Sequence, residues 1–64
     1  MDAKQIKELR ASLGLTQEQF ARKVGVAYFT VVRWECNMNN PSHLAQEKLE
    51  LIRKEHNNGK TKIR

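Results

Sequence analysis

Apolar residues recur along this chain at spacings of three and four, the signature of helices that bury one face. Ile6, Leu9 and Leu13 form the first such series, and Asp2 with Gln5 three positions later makes a capping box ahead of it. The spacing predicts a first helix over about 3–13, ended by Gly14, which tolerates the left-handed conformation that turns a chain. Thr16 and Gln19 make a second capping box. Leu15 before the cap and Phe20 at the fourth helical position match a hydrophobic staple. Phe20, Ala21 and Val24 share a face, and Gly25 stops this second helix after little more than two turns.

Gly25, Val26 and Ala27 leave a three-residue turn, so the third helix, from about Tyr28 to Glu35, must cross the second sharply. Val31 and Trp34 are spaced to face inward, which groups Tyr28, Phe29, Val32 and Arg33 on the outer side. Asn37 to Pro41 is rich in turn formers, and Ser42 can cap a fourth helix from about His43 to Glu55. Its inner stripe is read as Leu44, Ala45, Leu49 and Ile52. Asn57, Asn58 and Gly59 then favour a stop, so residues 1–56 make the domain and 57–64 a basic, mobile tail. No strand pattern or repeat competes, and the expectation is an all-α domain of four helices, with room for a short fifth turn near the C-terminus.

Sixty-four residues hold one small core. Twelve Lys and Arg against seven Asp and Glu give a net +5, which favours a polyanionic partner. Lys60, Lys62 and Arg64 supply three of those five charges, so charge alone argues only for weak phosphate binding. Cys36 is the single cysteine and cannot form an internal disulfide, which suits a reducing compartment. No window nears the roughly 18 apolar residues of a membrane span, and the start lacks an apolar signal stretch; the expected location is the cytoplasm. His43 and His56 are far apart in sequence, and no Gly-rich phosphate loop or zinc spacing occurs. The expectation is therefore a non-enzyme with no cofactor and no metal.

Gln17, Ala21, Gly25, Val31 and Trp34 sit at helix-turn-helix spacing, and LRASLGLTQEQFARKVGV followed by VVRWE closely resembles the phage repressor and Cro type, the XRE family. The resemblance covers about residues 4–53. It implies a lambda-repressor-like fold and a transcriptional regulator of repressor type, with activation left open. Two positions depart from the pattern. Ala27 stands where Ser or Thr commonly caps the reading helix, a loss of about 1 kcal/mol. Asn37 stands where glycine is favoured, and is the next most tolerant residue for a left-handed turn.

With the third helix in the major groove of double-stranded DNA, base edges would meet Ala27, Tyr28, Phe29, Val32 and Arg33, with Thr30 at the margin. Arg33 suits guanine or a phosphate, whereas Phe29 and Val32 suit thymine methyls. Gln17, opening the second helix, is the expected phosphate contact, with Lys23, Asn37, Asn39, Asn40 and His43 as further candidates. The resemblance implies a partly buried ion pair between Arg10 and Glu35. One domain reads about half a site, so two copies are expected on a pseudo-palindromic operator, as a weak homodimer formed mainly on DNA. The open alternative is a protein-binding adaptor or antitoxin-type component that uses the same aromatic face on a protein partner.

Overall fold

The computed structural model describes residues 1–62, with side chains through residue 57. Among these it contains four helices: α1 (Ala3–Leu13), α2 (Gln17–Val24), α3 (Tyr28–Glu35) and α4 (His43–Lys62). Local chemistry sets the first boundaries. The Asp2 carboxylate accepts the Gln5 N–H at 2.9 Å, and the Gln5 side chain accepts the Asp2 N–H at 3.1 Å. Thr16 and Gln19 repeat the exchange at 3.1 and 3.0 Å. Gly14 and Gly25 end α1 and α2 with φ of 71° and 91°, a region that carries a steric penalty for any side chain. At the start of α4 the Ser42 hydroxyl accepts the Ala45 N–H at 3.2 Å.

All four helices feed one core. Ile6 and Leu9 come from α1, Phe20, Ala21 and Val24 from α2, Val31 and Trp34 from α3, and Ala45, Leu49 and Ile52 from α4. Leu13 and Leu15 pack at its edge, only partly buried. Ala21 lies where α2 meets α3 and is almost wholly buried, so its small side chain permits the close crossing. Its carbonyl accepts the N–H of both Gly25 and Val26, at 2.8 and 3.0 Å, which draws the turn tight.

Two expectations about α4 are corrected. Leu44 is 76% exposed and does not belong to the inner stripe, which is Ala45, Leu49 and Ile52. Ala45 shares the i, i+4, i+7 line of Leu49 and Ile52, whereas Leu44, rotated about 100° from it, falls on the line of exposed Lys48 and Leu51. The helix also continues past Glu55 to Lys62. Asn and Gly lower helix propensity by up to about 1 kcal/mol each, but without a proline they do not break a helix already nucleated. The backbone of 57–62 thus extends α4. Of the expected tail, residues 63–64 and the side chains from 58 onward lie outside the described residues. The described part of the chain has no helix long and apolar enough to cross a membrane.

Candidate nucleic-acid interface

The α3 helix has one anchored side and one bare side. Val31 and Trp34 hold it to the core, while Phe29 is 67% exposed, Tyr28 is 46% exposed and Arg33 is exposed. Thr30 and Val32 are half-buried at the flanks of this face, and Ala27 is exposed at its start. The Tyr28 and Phe29 rings lie 5.6 Å apart at an interplanar angle of 57°, a tilted aromatic pair on the open side. Ala27 makes no side-chain cap, so the first turn of α3 leaves its N–H groups without that partner.

The C-terminal end of α3 is closed by backbone alone. Asn37 adopts φ of 64°, the left-handed conformation usually given to glycine. Its N–H donates to the Trp34 carbonyl at 3.1 Å, and the Met38 N–H donates to the Arg33 carbonyl at 2.9 Å. This is a Schellman arrangement. It brings Asn37 and Asn39 close to Arg33, with the Asn39 N–H also reaching the Arg33 carbonyl at 3.4 Å. Asn40 is exposed in the same loop, and Cys36, at its start, is also exposed.

Arg10 and Glu35 meet beneath this element. Arg10 Nε donates to Glu35 Oε2 at 2.7 Å and Nη2 to Oε1 at 3.0 Å, a bidentate pair. The Glu35 side chain is 2% exposed and that of Arg10 25%. The bond to Glu35 raises the Arg10 guanidinium above its ordinary value against the opposing effect of burial, so this partner keeps its charge wherever the protein is folded. The third nitrogen, Nη1, donates to the Leu15 carbonyl at 3.2 Å. Arg10 therefore ties α1 to the turn before α2 and to the last residue of α3.

Gln17 joins the same group. Its Nε2 donates to Glu35 Oε1 at 3.0 Å, so one carboxylate oxygen serves both Arg10 and Gln17. Sequence reasoning missed this bond, and the 18-residue separation leaves no local signal for it. Gln17 and Tyr28 are the first residues of α2 and α3, and both line a depression of about 400 Å3 with Thr16 and Glu18. The structure thus groups Tyr28 with Gln17 as well as with Phe29. A shared position at the start of successive helices was the available clue.

The remaining phosphate candidates are dispersed. Lys23 is exposed in the last turn of α2, the end opposite Gln17, where its charge complements the helix dipole. His43 is exposed at the first position of α4, with Nε2 3.1 Å from Glu47 Oε2. No cluster of metal-ligating side chains occurs among the described residues.

A family model described as Helix-turn-helix matches residues 6–57. An uncharacterized HTH-type transcriptional regulator of Archaeoglobus fulgidus is 51% identical over 37 residues, covering 58% of this chain and 53% of that protein. The chain therefore matches only about half the length of that relative. No solved structure matches significantly. The capped second helix, the tight turn at Gly25, the third helix anchored through Val31 and Trp34, and the family match over most of the chain place it in the XRE-type helix-turn-helix family, that of the phage repressors and Cro.

Proposed function

We propose that this chain binds double-stranded DNA sequence-specifically and regulates transcription, with α3 lying in the major groove. The observation that carries the reading is the division of α3 into a fixed face and a free one. Val31 and Trp34 are buried and Glu35 is clamped by Arg10, so the outer face is presented at a set angle. Arg33 is the polar reader, able to bond guanine O6 and N7 together. Phe29 and half-buried Val32 offer apolar contact to thymine methyls, and Ala27, Tyr28 and Thr30 complete the base-facing group. Gln17 bonds a phosphate at the start of α2, with Asn37, Asn39 and Asn40 on the other side of the groove and Lys23 and His43 at its margins. Two copies on a pseudo-palindrome, meeting mainly on DNA, would occlude a promoter and repress it.

Duplexes selected from a randomised pool, titrated by fluorescence anisotropy across a salt series, test this reading. Affinity should fall steeply with added salt. Arg33→Ala should relax base preference at one position, whereas Gln17→Ala should weaken all sites alike. Unchanged affinity in both variants would exclude this face. The exposed Tyr28 and Phe29 pair also favours a second reading, a protein-binding adaptor, and salt-insensitive capture of a protein partner by that pair would support it.

A further inference from the structure

We infer that Glu35 is a positioning residue for the contact between Gln17 and a DNA phosphate, an inference that rests on the DNA reading above. Glu35 touches no nucleic acid in this scheme; its side chain is almost fully buried. Its Oε1 accepts from Gln17 Nε2 at 3.0 Å while Arg10 Nη2 binds the same oxygen at 3.0 Å. An ionised carboxylate can only accept, so the Gln17 amide must turn its NH2 group toward Glu35. That choice removes the usual freedom of a glutamine to flip its oxygen and nitrogen. One N–H is consumed by Glu35, which leaves the second for another acceptor at the first position of α2, where the helix also leaves backbone N–H groups unpaired. A phosphate oxygen arriving there meets a donor already oriented, with the rotamers of Gln17 fixed before binding.

The negative charge of Glu35 would by itself repel a phosphate. Arg10 cancels it through two hydrogen bonds, so Glu35 acts locally as a neutralised acceptor. The three residues thus work in series. Arg10 neutralises Glu35, Glu35 aims Gln17, and Gln17 donates to the backbone of the duplex. Because Glu35 is also the last residue of α3, the same carboxylate couples the position of the reading helix to the orientation of the phosphate donor on α2.

The test compares two backgrounds that both lack the ion pair. Arg10→Met with Glu35→Gln keeps an acceptor for the Gln17 amide; Arg10→Met with Glu35→Leu removes it and fills the space with apolar groups, an exchange that buried ion pairs commonly tolerate. Gln17→Ala is then introduced into wild type and both backgrounds, and affinity for a selected duplex is measured. The expected loss is about tenfold in wild type, smaller in the Gln background, whose amide can donate as well as accept and so fixes the Gln17 orientation only in part, and less than twofold in the Leu background. Equal losses in all three would overturn the inference while leaving DNA binding intact. Absence of salt-dependent duplex binding by the wild-type protein would overturn both. A second readout needs no variant and no DNA: the two side-chain N–H signals of Gln17 in the nuclear magnetic resonance spectrum. Protection of one of them from solvent exchange supports the inference, and equally rapid solvent exchange of both overturns it.

Discussion

Helices α2 and α3 have the same length, eight residues, and opposite sources of order. The α2 helix carries its instructions in its own ends: a reciprocal capping box at Thr16 and Gln19, acidic Glu18 in the first turn, Arg22 and Lys23 in the last, and Gly25 beyond. By contrast, α3 has an uncapped start at Ala27 and a C-terminal turn made by an asparagine at φ of 64°. What holds α3 is tertiary: Val31, Trp34 and the clamp on Glu35. A helix fixed from behind needs nothing from its outer side chains. The exposed residues proposed to read DNA, Phe29 and Arg33 foremost, are therefore free of duty to the core, whereas the helix that supports them is specified locally.

This contrast can be broken most forcefully at Trp34. Trp34→Ala removes the largest α3 anchor and should cost about 3–5 kcal/mol, enough to unfold much of a domain this small, as followed by chemical denaturation. Thr16→Ala attacks α2 through its cap and should cost about 1 kcal/mol in the same assay. Ala27→Ser works in the opposite direction, giving α3 the cap it lacks, and should stabilise by about 0.5–1 kcal/mol. Helical protection from hydrogen exchange should rise first in the opening turn of α3; a loss of stability in this variant would show that the bare cap is not a weakness. The smallest effect is expected for Asn37→Gly, a gain of a few tenths of a kcal/mol from relieving the left-handed conformation, measurable as a modest rise in Tm.

The same contrast explains what was legible in the sequence. Helices α1 and α2 end where Asp2, Thr16, Gly14 and Gly25 say they do, because each of those signals acts within one turn of its own residue. The extent of α4 was misjudged because Asn57 and Gly59 weaken a helix without forbidding one. Leu44 was misassigned because periodicity alone does not decide which of two adjacent apolar residues turns inward. For the site, the outward position of Phe29 and Arg33 followed from spacing. The bond between Gln17 and Glu35 did not, since it joins two helices through a shared oxygen and leaves no trace in either segment.

One consequence belongs to Arg10. Its three nitrogens reach a carbonyl in one turn and both oxygens of a carboxylate at the far end of another helix. A guanidinium spreads its donors over three nitrogens in a rigid plane, matching both carboxylate oxygens and the carbonyl; lysine would carry the same charge but gather its three donors on one nitrogen. The angle of α3, the proposed reading helix, is thereby set by a planar group that lies outside the proposed base-reading face.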